Sequence, residues 1–434
     1  MRSNPVVRPG PTATTRTLVF WWREPQAPAA HTSLSRGDGH RRRYDTVFFH
    51  LSGVHDHHDA ALHRMTDHHG GWWSFTVTVP SDLCGSYYIM PAEAVPDEIV
   101  ETPRHDDPHQ QIDFRARWKA LMKLMVVDPR AQIPPLLSLR SSCSAPGIDY
   151  SCHAKSSGIV RLDGALPEPG WDTANTSEVP ADTTTTGFTP YTWHSSSEFF
   201  QDRRVWVRTP DGNQSDNQRR RPWLLILLDG HDWYETHTGF APALHALEIT
   251  GSIPEVTAVA VKTTDSADLG QNRLRDLGCN PGWRSALQDD LIPAITRDYE
   301  IADPYVIVAG QSLGGLCATD CVIESPETFH AAIGCSPSFW FPTPQGPRLP
   351  GPPGGLIAEK LQHQATLAAL AQNDSRFFFD IGTGEGLMES HARTIVVELE
   401  RAHICCHFDV STHGHDPAAW RGALTRGLCF MAAQ

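Results

Sequence analysis

The stretch VIVAGQSLGGLCAT, Val306–Thr319, decides the fold of this chain. An apolar, β-branched run ends at Gly310, and Ser312 then stands between two glycines at the start of a segment of helical composition. Gly310–Gly314 matches the pattern G-x-S-x-G, in which the chain turns sharply from a strand into a helix and presents the serine outward. The start of the helix also places partial positive charge beside the hydroxyl. The setting predicts that Ser312 is a nucleophile rather than part of an ordinary glycine-rich turn.

Apolar runs that end in small or polar residues lie on both sides of this motif. RPWLLILLDG, VTAVAVKTTD and SRFFFDIGTG are three of them, and amphipathic stretches such as WRSALQDDLIPAITRDY lie between them. Strands that alternate with helices predict a mostly parallel sheet covered by helices on both faces. Active sites in such sheets lie at the carboxyl ends of the strands. We therefore predict the α/β class, with an α/β-hydrolase catalytic domain over residues 189–434.

The first part of the chain has a different pattern. Residues 1–135 contain short aromatic and β-branched runs such as TLVFWWRE and TVFFHLSG, together with the alternating stretch GWWSFTVTVPSD. Short strands at nearly regular spacing predict an N-terminal accessory domain that resembles a β-sandwich. Residues 136–188 are rich in Pro, Gly, Ser and Thr, which predicts a linker segment laid over the surface.

Composition limits the class of partner. The formal net charge of -14 argues against nucleic acid or an anionic membrane as partner. No run approaches the roughly 20 apolar residues of a membrane span, and the first residues lack the apolar core of a secretory signal. The 10 cysteines are scattered and form no C-x-x-C pair, which favours reduced thiols. Together these features predict a cytoplasmic protein.

A serine nucleophile needs a base and, in most cases, an acid that orients the base. In this fold the base follows the last strand, where HFDVSTHGHDP contains His413 and His415. The residues alone favour His415, which lies closer to the start of the last helix, and leave His413 open. The acid should follow the preceding strand, and Glu385 in the glycine-rich loop is favoured. Asp380, Glu389 and a Ser–His dyad without a strong acid remain open.

An oxyanion hole needs two backbone N–H groups directed at the developing negative charge. Leu313, directly after the nucleophile, should supply one of them. The second should come from the loop LLDGHDW after an earlier strand, so that Gly230 or His231 is the expected donor.

Taken together, these segments resemble the enterochelin (enterobactin) esterase family over nearly the whole chain. LVFWWREP, LSGVHDHH and GSYYIMPAE resemble its N-terminal domain, and PGWDTANTSEVP resembles the segment that joins its two domains. LLDGHDW, NRLRDLGCN, AGQSLGGL, CSPSFWF and GHDPAAWRGALTRGL resemble its catalytic domain. The resemblance implies hydrolysis of a cyclic tri-serine lactone that carries catechol groups and arrives as its ferric complex. It also implies acyl transfer to Ser312 and, through the matching GHD, His415 as the base.

Such a substrate is highly anionic, whereas the chain is acidic overall, so local cations must hold it. Arg273 is the leading candidate and Arg275 the second, because a guanidinium matches catecholate oxygens and stacks on aromatic rings. Asp276 stands where the family usually has Glu in the same segment and keeps its charge. Flat apolar walls for the catechol rings would come from Trp233, Phe339 and Trp340.

Two further functions stay open on the sequence. Another acyl esterase or acyltransferase on the same fold is one, although simpler esterases lack an accessory β-domain. A non-catalytic siderophore-binding protein is the other, although Ser312 and His415 are both intact. The stretch HDHHDAALHRMTDHHGG, which begins at His55, fits no established spacing of metal ligands. We therefore predict neither a metal nor a cofactor.

Overall fold

The chain divides into two compact units. This computed structural model describes residues 3–25, 43–55, 63–95, 99, 114–133, 157–171, 187–192, 203–210, 221–230, 233, 240–262, 269–342 and 352–433. The first unit comprises Met1–Leu137, Tyr150–Ala165 and Thr412–Ala418. The second comprises Ser138–Asp149, Leu166–Ser411 and Ala419–Gln434.

Two antiparallel sheets form the described part of the first unit. Its elements are β1 (Val6–Pro9), β2 (Thr15–Arg23), β3 (Thr46–Leu51), β4 (Thr66–Asp67), β5 (Trp72–Pro80), β6 (Cys84–Ala92), α1 (Phe114–Lys123) and β7 (Gly158–Arg161). One sheet has the strand order β1-β2-β5-β4 and the other the order β3-β6-β7.

The alternation of side chains along β2 explains the core of this unit. Leu18, Phe20 and Trp22 are all buried, since every second residue of a strand faces the same side. The ring of Phe20 lies 4.6 Å from that of Phe49 on β3 and 4.8 Å from that of Tyr87 on β6. Side chains from both sheets therefore share one core, and the predicted β-sandwich-like accessory domain is confirmed.

Strand β7 lies inside the segment that was predicted to be a linker. It pairs with β6, and Ile159 and Val160 are buried. A Cβ added to Gly158 would lie 2.6 Å from the ring of Tyr87, so this position has no space for a side chain. A four-residue strand is too short to stand out within a segment of Pro, Gly, Ser and Thr. Residues 136–156 and 172–186 of the same segment lie outside the described residues, and the predicted division at 135 and 189 stays a prediction.

The second unit is built on an eight-stranded sheet. Its strands are β8 (Thr189–Thr192), β9 (Arg204–Arg208), β10 (Trp223–Leu228), β11 (Val256–Val261), β12 (Tyr305–Gln311), β13 (Ala331–Cys335), β14 (Arg376–Gly382) and β15 (Cys405–Ser411). Their order is β15-β14-β13-β12-β10-β11-β9-β8. The strands from β15 to β11 are parallel, and β9 and β8 are antiparallel at one edge. The mostly parallel sheet predicted from the sequence is confirmed.

Helices cover both faces of this sheet. They are α2 (Phe240–Ile249), α3 (Leu269–Leu277), α4 (Pro281–Ala286), α5 (Ile292–Asp298), α6 (Leu313–Glu324), α7 (Gly355–Leu361), α8 (Gln364–Gln372), α9 (Met388–Arg401) and α10 (Pro417–Ala432). On β10, Leu224 and Ile226 pack in the core that contains Leu316 of α6. Leu225 and Leu227 pack in the opposite core with Phe240 of α2. Burial on both faces explains why this strand is an uninterrupted apolar run. In the described part of the chain, no helix is both long and apolar enough to cross a bilayer.

Candidate active site

Ser312 occupies a strained turn between β12 and α6. Strand β12 ends at Gln311, the helix begins at Leu313, and Ser312 between them has φ 57° and ψ −118°. A residue other than glycine in such a conformation stores on the order of 1–3 kcal/mol of strain, which the surrounding fold must hold. Strand, turn and helix follow in the order that the motif requires. The turn holds the serine at the carboxyl end of a central strand, where chemistry in parallel sheets is located.

Two glycines let the strand and the helix approach each other. A Cβ on Gly310 would lie 2.6 Å from the carbonyl carbon of Gly314. A Cβ on Gly315 would lie 3.0 Å from the side chain of Pro337. Gly310 therefore cannot carry a side chain without displacing backbone, which explains the first glycine of the pattern in physical terms.

The end of β13 and the residues after it fix the backbone of Ser312. Its N–H donates to the carbonyl of Cys335 at 2.9 Å, and its carbonyl accepts from the N–H of Ser338 at 3.0 Å. The hydroxyl Oγ lies 3.2 Å from Oγ of Ser338. Burial, and next the charge of Asp380, raise the pKa of the Cys335 thiol well above its usual range. This cysteine is therefore a neutral thiol at pH 7 and no competing nucleophile.

Both expected oxyanion positions follow the carboxyl end of a strand. Leu313 is the first residue of α6, where backbone N–H groups have no partner within the helix. Gly230 follows β10, and a Cβ there would lie 2.4 Å from the backbone of β11, so packing alone requires glycine. His231 lies outside the described residues.

Arg273 lies next to the turn at Ser312 and is paired with a buried carboxylate. Its Nε lies 3.0 and 2.9 Å from the two oxygens of Asp229, and its terminal nitrogen lies 2.5 Å from one of them. The same terminal nitrogen donates to the carbonyl of Gln311 at 3.4 Å. The Arg273 side chain is 27% exposed, whereas Asp229 is 2% exposed. The guanidinium thus links Asp229, directly after β10, to Gln311, the residue before Ser312.

Replacement of Arg273 by alanine should destabilise the protein strongly. Removal of one partner of a buried pair takes an opposite charge away from the buried carboxylate, at a cost of about 3 kcal/mol. We expect Arg273→Ala to lower the free energy of unfolding in urea by about that amount. Arg275→Ala is the matched control on the same helix, because Arg275 is 45% exposed and its partner Asp276 also binds Arg203. Its effect should stay below about 1 kcal/mol, and equal losses for the two variants would contradict the role of the Asp229 pair.

Three of the side chains predicted to contact the substrate are buried, and their roles stay predictions. The carboxylate of Asp276 is fully buried and accepts from Arg203 at 2.6 Å, so it balances a buried guanidinium. Trp233 is 1% exposed and packs in the core with Phe240 at a ring distance of 5.6 Å. Phe339, also 1% exposed, belongs to the opposite core. Trp340 is partly exposed and stays a prediction as a wall of the substrate site.

Glu385 lies in a single helical turn, Thr383–Glu385, directly after β14. Its Oε1 accepts from the hydroxyl of Ser336 at 2.7 Å and from the N–H of Gly382 at 2.8 Å. The hydroxyl of Ser336 in turn accepts from Nε1 of Trp420 at 2.8 Å. Two donors therefore hold this carboxylate in one orientation at the carboxyl end of its strand.

The other two acid candidates have structural partners. Asp380 is fully buried and accepts from Arg426 at 2.8 Å, and the same guanidinium also binds Asp409. Glu389 pairs with Arg393 one helical turn further along the surface of α9. These contacts favour Glu385 among the three carboxylates.

The two candidate histidines differ in exposure. Both lie in the loop Thr412–Ala418, which belongs to the first unit by its contacts. His413 is 1% exposed, and its Nδ1 lies 2.8 Å from the carbonyl of Gly414. The side chain of His415 is exposed. Exposure thus agrees with the choice of His415 as the residue able to meet a substrate.

Two protein-family profiles match the chain, one in each half. The profile of the esterase family matches residues 196–431. The profile described as "Enterochelin esterase, N-terminal" matches residues 17–171. The chain belongs to the enterochelin esterase family. It is accordingly a carboxylic ester hydrolase of the serine hydrolase type.

Members of this family resemble the chain over most of its length. The iron(III) enterobactin esterase of Escherichia coli K12 is 26% identical over 415 residues, which cover 95% of this chain and 90% of the relative. The iron(III) salmochelin esterase of Escherichia coli O6:H1 is 29% identical over 364 residues, 82% of this chain and 76% of the relative. The crystal structure of the ferric enterobactin esterase of Salmonella typhimurium has a TM-score of 0.75 at 25% identity, with 99% and 97% of the two chains covered.

Three residues around the site of this enterochelin esterase family member were not predicted from the sequence. They are Asp229, Ser336 and Trp420, which hold Arg273 and Glu385 in place. A signal for all three was present, since Asp229, Ser336 and Trp420 stand in LLDGHDW, CSPSFWF and GHDPAAWRGALTRGL respectively. His57 and His58 of the histidine-rich stretch lie outside the described residues. Across the described residues, no group of three or more His, Cys, Asp or Glu side chains could hold a metal ion.

Proposed function

We propose that the protein hydrolyses the trilactone ester bonds of an imported catecholate siderophore of the ferric enterobactin type and so releases its iron in the cytoplasm. One observation carries this proposal: the family match includes the N-terminal domain of enterochelin esterases as well as the esterase domain. A relative that matches 95% of the chain is named for iron(III) enterobactin, and another is named for iron(III) salmochelin.

The reaction begins with attack on a lactone carbonyl. Oγ of Ser312 attacks the carbonyl carbon while His415 takes its proton as general base. The N–H of Leu313, with a second N–H from Gly230 or His231, stabilises the oxyanion that forms. Glu385 orients His415 and stabilises its charged form. The start of α6 adds its partial positive charge on the same side.

Collapse of the tetrahedral intermediate opens the ring. The serine alkoxide of the lactone leaves and takes the proton from His415, so that the opened siderophore remains as an ester on Ser312. A water molecule, deprotonated by His415, then attacks this ester and frees the acid and Ser312. Repetition on the linear product would give a dimer and a monomer in turn. Each cleavage weakens the hold on the ferric ion, which is cargo in this reaction.

Local positive charge must recruit the anionic substrate, because the net charge of the chain is -14. Arg273 fits this role in part. Its side chain is 27% exposed, and it contacts the carbonyl of Gln311 beside the nucleophile. Its pairing with Asp229 reduces the charge that it presents, so we propose that Arg273 orients a catecholate near Ser312 and that further cations contribute to affinity.

The proposal is tested by product analysis. Purified protein is incubated with ferric enterobactin and, separately, with iron-free enterobactin, and the products are followed by liquid chromatography and mass spectrometry. We expect linear trimer, dimer and monomer to form in sequence, since one nucleophile cleaves each ester in turn. Turnover of a simple aryl ester with neither form of enterobactin cleaved would move the substrate to another class. Tight binding without any hydrolysis would contradict the enzymatic function itself.

A further inference from the structure

The loop Thr412–Ala418, which carries His415, is held by strands of the first unit. The unit otherwise consists of residues before 166, so this loop is its one late segment. Within the run from Thr412 to Asp416, His415 is exposed and the other four residues are buried. The loop is therefore packed along its length, and a single side chain projects from it.

Asp416, next to His415, anchors one end of the loop. Its carboxylate is 1% exposed and accepts from the hydroxyl of Ser86 at 2.9 Å. It also accepts from the backbone N–H of Ser86 on β6 and from the N–H of Ala418 at 3.0 Å. Hydrogen bonds to a charged carboxylate are about twice as strong as neutral ones. One buried carboxylate thus joins β6 to the first turn of α10.

Thr412 anchors the other end of the loop. Its hydroxyl donates to Asp82 at 2.8 Å and its N–H donates to the same carboxylate at 3.3 Å. Its carbonyl accepts from the N–H of Cys84 at 3.0 Å. Asp82 lies two residues before β6 and Cys84 is its first residue, so both ends of the loop are bound to one short segment.

The middle of the loop is confined by close backbone contact. A Cβ on Gly53 would lie 2.8 Å from Cα of His413. A Cβ on Gly414 would lie 2.7 Å from the N atom of Gly53 and equally close to Oγ of Ser52. No side chain fits between the two segments, so the backbone before His415 has little room to shift.

We propose that Ser86 and Asp416 are positioning residues that fix the orientation of His415 for its role as the base. This inference rests on the proposed role of His415 as the base. A general base must reach the proton that it takes within about 2.6–3.2 Å. A displacement of about 1 Å can cost on the order of 100-fold in rate. Removal of the Ser86 hydroxyl takes away one hydrogen bond to Asp416 and leaves the backbone N–H of Ser86 in place.

The test compares Ser86→Val with Ser86→Thr, two side chains of the same shape that differ in the hydroxyl. Both add bulk to the same buried position, so packing damage is common to them. We expect Ser86→Val to lower kcat by roughly 10- to 100-fold with KM within about twofold, whereas Ser86→Thr retains most of the wild-type kcat. A loss in kcat alone is expected because the histidine, and not the binding of substrate, is disturbed. Equal kcat in the two variants would overturn the proposal.

Two controls separate positioning from general damage. Ser74→Val removes another buried hydroxyl of the same unit, on β5 in the sheet that does not contain β6, where it lies 2.7 Å from Nε2 of His68. Its kcat should match that of the wild type. If Ser86→Val does not fold, Asp82→Asn loosens the opposite end of the loop at a partly exposed position, and the same loss in kcat without a change in KM is expected. Wild-type kcat in folded Asp82→Asn would then count against the proposal.

His415→Ala distinguishes failure of this inference from failure of the proposed function. It should abolish turnover. If His415→Ala remains active, His415 is not the base, and the positioning role falls with it. If His415→Ala is inactive while Ser86→Val keeps the wild-type kcat, the base is correctly assigned and the positioning role alone is wrong.

Discussion

Ser312→Ala should abolish ester hydrolysis, with a loss in kcat on the order of 10⁴-fold or more. The substitution removes the oxygen that forms the acyl-enzyme, and what remains is binding and the oxyanion site. The fold should be unaffected, because backbone hydrogen bonds from Ser312 to Cys335 and Ser338 hold the turn, and alanine makes the same bonds. The measurement is the rate of product formation from ferric enterobactin and from an aryl ester, with thermal unfolding in parallel.

Ser338→Ala is the matched control for this experiment. Its hydroxyl lies 3.2 Å from that of Ser312, so the variant removes a neighbouring oxygen but leaves the strained turn in place. We expect it to retain turnover within about tenfold, since it can lose no more than a hydrogen bond. A fluorophosphonate should label the wild type and Ser338→Ala on the peptide that contains Ser312. Labelling of any other serine, or turnover in Ser312→Ala, would disprove the assignment.

Glu385→Gln should reduce kcat by roughly 10³- to 10⁴-fold. Glutamine keeps an oxygen that can accept from Ser336 and from the N–H of Gly382, so the loop should keep its shape. It loses the negative charge that stabilises a protonated histidine during the reaction. We therefore expect normal stability, a KM close to that of the wild type, and a large loss in kcat measured at saturating substrate.

The other carboxylates provide the comparison. Asp380→Asn removes the buried partner of Arg426 and should lower the stability, with kcat of the folded fraction retained. Glu389→Gln acts on a surface pair with Arg393 and should change neither quantity measurably. A large loss in kcat for either variant, with Glu385→Gln active, would transfer the role of the acid. Full activity in all three variants would favour a Ser–His dyad.

The parts of the site that were predictable are those set by local sequence. Glycines at 310 and 314 around Ser312 specify a tight turn, and the apolar run before them specifies a buried strand. Because parallel strands carry active sites at their carboxyl ends, the same logic places Leu313, Gly230 and Glu385 at loops after strands. These inferences depend on backbone geometry, which a short window of sequence largely determines.

The burial of the predicted substrate contacts could not be read from the sequence, for a physical reason. A carboxylate or an indole has the same chemistry in a sequence whether it faces a ligand or the interior. Burial depends on the distant segment that covers it. Asp276 is covered through Arg203, 73 positions earlier in the chain, and Trp233 packs against Phe240. The bidentate pair of Arg273 with Asp229 could not be predicted from the sequence either, because its partners lie 44 positions apart.

The return of the chain to the first unit at Thr412–Ala418 has a consequence for biosynthesis. Asp416 lies 330 positions after Ser86, so the ribosome completes the first unit only after it has made residues 166–411 of the second. At a synthesis rate of 5–20 residues per second, roughly 15 to 65 seconds pass between the synthesis of Ser86 and that of Asp416. During that interval the N–H and hydroxyl of Ser86 lack the acceptor that they bind in the finished fold. The nascent first unit therefore lacks this segment until most of the second unit has been synthesised.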